Sequence, residues 1–342
     1  MRRRASADSQ HLQAADCPAL RAAHDHSKQL LAAMETRFAA QADTLEGVVT
    51  VAVGGSLGRL EAGVDSDIDC IVVIDDAVDD RHADELMRAV QACLAASRLK
   101  LPKADGIYRA PIAPRDLLAP GGLGSLEESP AVFGKRMQLL LDARAVHGHA
   151  RYESLQRAVL DWYASDFIAA RASRGWTLLV NDLMRYLHAY AGWQQFKFAR
   201  SVDDSWQLRQ AKLRGSRLLT FAGLLFLLGE SDRRADKLDW VAARLCAPPL
   251  ARVAMIMADS DQAAYARLLG DYETVFAILA DPALRARLVA TGPDETRRLA
   301  APLDPSFERL RAASAGIATA LTRFALARVD HWGLRFFERW LL

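Results

Sequence analysis

The 342-residue sequence lacks any long apolar run. Its most apolar stretch, Leu218 to Leu228, is eleven residues long, well short of the ~20 that a bilayer-crossing helix needs, and it suits a buried helix. Cysteine is scarce. Cys17, Cys70, Cys93 and Cys246 include no C-x-x-C pair, which argues against a zinc site and a disulfide framework and makes a reducing cytoplasm the simplest setting. Charge of one sign is missing too: 44 Lys and Arg against 42 Asp and Glu give a net charge of +2, so nothing draws the whole molecule to nucleic acid or an anionic membrane, and any basic site must be local. Met1 to Gln10 carries Arg2, Arg3 and Arg4 with no apolar run behind them, unlike a secretory signal. No internal repeat or low-complexity tract interrupts the chain.

What is present is ordinary for a globular protein: 51% hydrophobic and 25% charged residues, at a length that favours two domains with separate cores. Residues 1–17 are expected to be a disordered start. Helical apolar spacing follows over 18 to 45, through Leu20, Leu30, Leu31, Met34 and Phe38. Val48 to Val53 reads as a strand, Asp67 to Ile74 as a second, and Arg81 to Leu99 as an amphipathic helix. A weaker third strand is expected around Asp105 to Ile112, before a Pro- and Gly-rich loop from Pro114 to Pro130. From about Phe133 every long segment is helical in period, with breaks at Asp203-Asp204, Gly229, Pro248-Pro249, Pro282 and Pro302 to Pro305. The fold class is therefore α+β: a short mixed sheet flanked by helices, then an all-α second part, dividing near 130 to 150.

The chemistry is concentrated between residues 53 and 73. Val53-Gly54-Gly55-Ser56-Leu57-Gly58-Arg59-Leu60-Glu61 leads to Ser66-Asp67-Ile68-Asp69-Cys70-Ile71-Val72-Val73. Glycines directly after a strand let the backbone turn tightly and approach a phosphate, whose oxygens the following N–H groups and the Ser56 hydroxyl can hold. Ten residues separate Ser56 from Asp67. Asp67 and Asp69, at i and i+2 on a strand, project from the same face. Two such carboxylates repel each other unless a cation lies between them. Hard oxygen ligands suit Mg²⁺ or Mn²⁺, which would take further ligands from a substrate's phosphates and assist nucleotidyl transfer. A Gly-Gly-Ser turn alone, or an Asp-x-Asp pair alone, is a common structural feature; the two in this order and spacing are far more specific.

These residues resemble the polymerase-beta-like nucleotidyltransferase superfamily, whose signature is a Gly-Ser turn followed by an Asp-x-Asp or Asp-x-Glu strand. The pattern of Gly54-Gly55, Gly58-Arg59 and Glu61 is most similar to the branch holding the uridylyltransferase of the PII signal protein and the glutamine-synthetase adenylyltransferase, both of which modify proteins. Asn181-Asp182, Arg185-Tyr186, Lys197, Trp206, Arg209, Lys212 and Ser216-Arg217 resemble the helical half of prokaryotic relatives. The resemblance implies a nucleotidyltransferase domain with its N-terminal helix over 18–135 and a helical domain over 136–342 that closes on the nucleotide. It also implies an NTP substrate, ATP or UTP, contacted by Gly54, Gly55, Ser56, Arg59, Lys197, Arg209, Lys212 and Arg217. A third carboxylate is expected on a later strand. Asp105 is the best-placed candidate, with Asp116 or Glu127 next. The hydrolytic His-Asp domain of the PII enzyme has no counterpart in this sequence, so removal of the modification by this chain is not expected.

The remaining constellations read two ways. Arg209, Lys212 and Ser216 share one helix face, with Lys197 and Arg185 on the helix before; they bind triphosphate or acceptor, or they are a solvated face. Asn181 and Asp182 interrupt an apolar helix and either meet nucleotide or cap helix contacts. His24-Asp25-His26 and His147-Gly148-His149 lack the further ligands of a zinc site and read as surface histidines. The aromatic, basic end from Trp332 to Leu342 is a membrane-surface or partner helix, or core or dimer packing, the last being favoured. The expected activity is Mg²⁺-dependent transfer of NMP from an NTP to an acceptor hydroxyl, a protein ranked first, then a small molecule, then a nucleotide or RNA end. No membrane and no strong sign of a nucleic-acid partner is read. The rivals are a non-catalytic nucleotide sensor or antitoxin-like partner, which would not require both aspartates, and an enzyme acting on RNA.

Overall fold

Val48-Val-Thr-Val-Ala-Val-Gly54 is β-branched at five of its seven positions and nearly all buried, the pattern of a strand covered on both faces. In the computed structural model it is β1 (Val48–Gly54), the middle strand of a three-stranded sheet ordered β2-β1-β3, with β2 at Asp69–Ile74 and β3 at Arg144–His147. The structure describes residues 16–63, 66–97, 99–101, 106–119, 125, 127–164, 176–200, 206–290 and 305–341. Residues 1–15 of the expected disordered start, and Asp105, lie outside the described residues.

Both pairings of β1 are antiparallel, with Val53 opposite Cys70 and Gly54 opposite Asp69 on one side and Ala52 opposite Ala145 on the other. The sheet becomes mixed at the free edge of β2, where Ile112 bridges Val73 in parallel: its N–H donates to the Val72 carbonyl and its own carbonyl accepts from Ile74, both at 3.0 Å. Among the described residues that bridge is all that forms of the strand expected over 105 to 112. Pro111 has no N–H to give a ladder, and the chain turns just before it, with the Arg109 N–H on the Gly106 carbonyl. Conversely β3, past residue 135, lies in the stretch expected to be all-helical; four residues between two helices carry too short a pattern to read.

The helices before the sheet's second half are α1 (Pro18–Ala40), the single turn α2 (Gly55–Gly58), α3 (Asp80–Ala95) and α4 (Pro114–Leu117). They continue with α5 (Pro130–Leu141) and α6 (His149–Ala164) around β3. Beyond these come α7 (Thr177–Arg200), α8 (Trp206–Lys212), a π-turn at Leu213–Arg217, α9 (Leu218–Ser231), α10 (Lys237–Leu245), α11 (Pro249–Ser260), α12 (Gln262–Ala280) and α13 (Pro282–Ala290). The last are α14 (Pro305–Ala327), α15 (Val329–Trp332) and α16 (Leu334–Leu341). Pro248-Pro249, read as a break, opens α11, where a missing N–H costs nothing.

The chain clusters into two compact units, one of Ala23–Asp182 with Ser231–Pro248, the other of Met1–Ala22, Leu183–Glu230 and Pro249–Leu342. In the first, one sheet face carries Val51, Val53, Cys70 and Val72 in a core with residues of α1 and α3. The opposite face carries Ala52, Ile71 and Val73 in a core with Leu139 of α5 and Tyr152 and Leu155 of α6. In the second, Trp332 is buried among Phe226, Phe324, Phe336 and Phe337, stacking on Phe337 at 20°. Its indole N–H donates to Glu230 at 2.8 Å, and Arg328 grips the same carboxylate at 2.9 and 3.0 Å. The aromatic C-terminal segment is thus core. No helix among the described residues is long and apolar enough to cross a membrane.

Candidate active site

Two glycines make the turn after β1. Gly54 ends the strand extended and Gly55 is left-handed at φ +64°, the first residue of α2. A side chain on Gly55 would run into the Asp69 carboxylate, and one on Gly58 into the carbonyls of Asp142 and Val53. Only glycine fits either place. The turn closes at Leu60, a buried residue also left-handed at φ +64°, with the Glu61 N–H donating to the Ser56 carbonyl at 2.7 Å. A non-glycine residue in this region is strained and is kept there by its surroundings. Here those are the core around Leu60 and the hydrogen bond beside it. The half-buried Ser56 hydroxyl donates to that of Ser66 at 3.1 Å, tying the turn to the residue before Asp67.

The two aspartates alternate with buried neighbours. Ile68 and Cys70 are 0% and 3% exposed in the first core, so Asp67, exposed, and Asp69, half-buried, project from the other side of the chain. The Ile68 N–H donates to the Lys100 carbonyl at 2.8 Å, which fixes the segment at Asp67, and Asp69 opens β2 opposite Gly54. The structure thus gathers Gly54, Gly55, Ser56, Asp67 and Asp69 at one end of the sheet. Two carboxylates on one side, one of them resting on a glycine with no side chain to displace it, suit a hard divalent cation such as Mg²⁺ or Mn²⁺. Among the described residues no group of three or more His, Cys, Asp or Glu forms a metal cluster. Asp116, on α4, and Glu127, on the loop after it, are both exposed, and Asp105 is not among the described residues.

What holds this end rigid is α5, whose role the sequence did not disclose. Lys135, Gln138 and Asp142 stand at i, i+3 and i+7, one stripe of the helix, and each is 3% exposed. Asp142, just past the last turn, accepts from Arg59 at 2.7 Å, and Arg59 also donates to Glu61 at 2.8 Å. Arg59, expected to meet nucleotide, is 7% exposed and engaged with these two carboxylates inside the protein. Arg144 of β3 donates to the Gly58 carbonyl at 3.1 Å, so the turn is held from its far end as well. Gln138 lies flat on Gly54, where an added methyl would come within 2.7 Å of its side-chain carbonyl carbon, and its Oε1 accepts a short hydrogen bond from the Tyr108 hydroxyl. The one available signal was polar residues inside an otherwise apolar helix.

Asp182 is a helix contact. It accepts from the buried Tyr163 hydroxyl at 2.6 Å, beside Arg136, which is 1% exposed, bonds the same hydroxyl at 3.0 Å and pairs with Glu128. Burial, and then the Asp182 charge, push the Tyr163 hydroxyl far above its ordinary pKa. His24, read as a surface residue, is 3% exposed.

The cations from the helical half belong to the second unit. Arg209 donates to Gln194 of α7 at 3.3 Å, and the Arg217 guanidinium lies 5.0 Å from the centre of the Tyr190 ring. Lys212 is exposed at the end of α8, and Ser216 donates to its carbonyl at 3.5 Å. Gly215, with φ −98° and ψ −106°, bends the π-turn between them. Lys197 lies on α7, and its side chain is outside the described residues.

A tight glycine turn and two carboxylates on one side of the chain are held together at the end of a small sheet. Residues 35–116 match the family model of the nucleotidyltransferase domain. The match runs from the second half of α1 through the turn and both aspartates to α4, and it stops short of α5 and of the helical half. No curated protein matches the chain. The matched family is that of nucleotidyltransferase domains, whose general chemistry is nucleotide transfer.

Proposed function

We propose that the protein is a Mg²⁺- or Mn²⁺-dependent nucleotidyltransferase that moves NMP from ATP or UTP to a hydroxyl on a protein and releases pyrophosphate. The observation that carries this reading is the left-handed Gly55 lying under the Asp69 carboxylate, with Asp67 two residues before on the same side. In it Asp67 and Asp69 hold the metal, and Gly54, Gly55 and Ser56 receive the β and γ phosphates. Arg59 keeps the turn in shape through Asp142 and Glu61. When bound, the ion would stabilise charge on the attacking and leaving oxygens. The acceptor oxygen forms a bond to the α-phosphorus, the bond from that phosphorus to the bridging oxygen breaks, and the hydroxyl proton passes to a base, for which Asp105 is our candidate.

Lys197, Arg209, Lys212 and Arg217 are assigned to the triphosphate, because its four negative charges exceed what carboxylate-bound metal can neutralise. The protein acceptor rests on the resemblance of Gly54-Gly55, Gly58-Arg59 and Glu61 to the PII-uridylyltransferase and glutamine-synthetase-adenylyltransferase branch. A cytoplasmic setting fits the scattered cysteines.

The test is incubation with each NTP, labelled in turn at the α and the γ phosphate, with Mg²⁺ or Mn²⁺ and cell lysate, followed by separation of protein, RNA and small molecules. The α label is expected in the protein fraction and the γ label only in pyrophosphate. Label confined to RNA or small molecules would refute the protein acceptor. No covalent label from any NTP would overturn the whole reading.

A further inference from the structure

From Gly134 to Leu141 helix α5 is buried without interruption, and a polar side chain in such surroundings needs a partner. Asp142 has Arg59. The other two members of its stripe are left short. Lys135 donates to the Ala110 carbonyl at 2.6 Å, and no carboxylate pairs with it among the described residues. Burial, which disfavours its charge, draws its pKa down to about 8. Gln138 is more telling. Its Oε1 is taken by the Tyr108 hydroxyl, which turns the amide so that Nε2 rests over the backbone of Gly54. That Nε2 donates to no acceptor among the described residues.

Nε2 is not one of the atoms that are fully buried without a partner, so this one donor of an otherwise buried residue is open to solvent at the turn. It stands at Gly54, the residue paired with Asp69 across the sheet and the one before left-handed Gly55. An oxygen that arrives at the turn can accept from it, and Lys135, buried three residues before with no carboxylate partner among the described residues, favours an oxygen that is anionic.

We propose that Gln138 is a binding residue of the nucleotide site, its Nε2 donating to a phosphate oxygen of the nucleoside triphosphate held at Gly54 to Ser56, with Tyr108 orienting the amide. The inference rests on the nucleotidyltransferase reading and adds to it a contact from outside the matched segment. Tyr108 is a positioning residue: it acts through Gln138 by occupying Oε1, and loss of its hydroxyl frees the amide to rotate.

The experiment is calorimetric titration of the full chain with ATP, UTP and their parent nucleosides in the presence of Mg²⁺, alongside thermal melting. Gln138→Met keeps the volume and removes the donor, so it should weaken triphosphate binding about tenfold and leave nucleoside binding unchanged. Gln138→Glu keeps the shape and turns a carboxylate toward the phosphates, so it should weaken binding further. Tyr108→Phe should give a smaller loss of the same kind. If either folded Gln138 variant binds triphosphate as tightly as wild type, or loses nucleoside and triphosphate affinity equally, the Gln138 contact is refuted and the nucleotidyltransferase reading stands. If wild type itself binds neither triphosphate, that reading fails, and the inference with it.

Discussion

The left-handed backbone of Gly55 and the carboxylate of Asp69 share one volume: a methyl group on Gly55 would occupy the place of an Asp69 oxygen. The glycine turn after β1 and the strand that opens at Asp69 are therefore fitted to each other directly.

Gly55→Ala should damage activity far more than stability. The left-handed conformation costs an alanine about 1–2 kcal/mol, a few degrees in melting temperature. Displacing Asp69 by about 1 Å should lower the rate of transfer on the order of a hundredfold. Steady-state kinetics beside a melting curve checks this, and an alanine variant with wild-type turnover would show that the carboxylate does not need its seat on Gly55.

The Arg59 cluster should behave in the opposite way. Arg59, Glu61 and Asp142 are almost wholly enclosed, with side-chain exposures of 6%, 7% and 2%, and removing one partner strands a buried charge at a cost of about 3–5 kcal/mol. Asp142→Asn and Arg59→Met are each expected to lower the melting temperature by on the order of 10 °C. Unchanged melting would mean that Arg59 is free to serve the nucleotide directly.

Lys135 should make stability depend on pH in a window of its own. Its folded pKa of about 8 lies below the ordinary 10.5, so between these values the unfolded chain binds more protons and stability rises with pH. Below pH 8 the full penalty applies, on the order of 3 kcal/mol. Buried Cys17 and Cys70, pushed up to about 11 and about 12 from 9.0, act in the opposite sense above pH 9. Urea unfolding of wild type against Lys135→Met cancels the Cys17 contribution, which both proteins keep; Lys135 itself lowers the pKa of the Cys70 thiol, so the two proteins are compared between pH 7 and 9. The variant is expected to be more stable at pH 7, the gap narrowing from pH 8 upward. A gap that does not vary with pH would contradict a buried, charged Lys135.

The candidate site was legible in the sequence where its geometry is local. A strand, two glycines, a serine and a spaced pair of aspartates form one continuous stretch, and their geometry follows from strand alternation and the freedom of glycine. Gln138 and Asp142 acquire their roles only by touching Gly54 and Arg59, about eighty residues earlier in the chain. No periodicity within α5 announces such contacts. For the same reason Arg59 beside a glycine turn reads as a phosphate ligand, while its bond to Asp142 appears only in the folded chain. Asp182 reads as a polar intrusion in an apolar helix until Tyr163 and Arg136 surround it. The sheet's outer parts were hidden by brevity: four residues in β3, and a single bridge at Ile112 beside Pro111.

The central claim is that Asp67 and Asp69 hold a catalytic cation, and the double variant Asp67→Asn, Asp69→Asn tests it most directly. Amides keep the shape, relieve the repulsion between the carboxylates and remove the charge that binds metal. Without added metal the variant should therefore melt no lower than wild type. Mg²⁺ should raise the melting temperature of wild type only, and transfer from labelled NTP should fall at least a thousandfold, about 4 kcal/mol of barrier. A double variant that retains wild-type turnover, or that Mg²⁺ stabilises as it does wild type, would contradict the account.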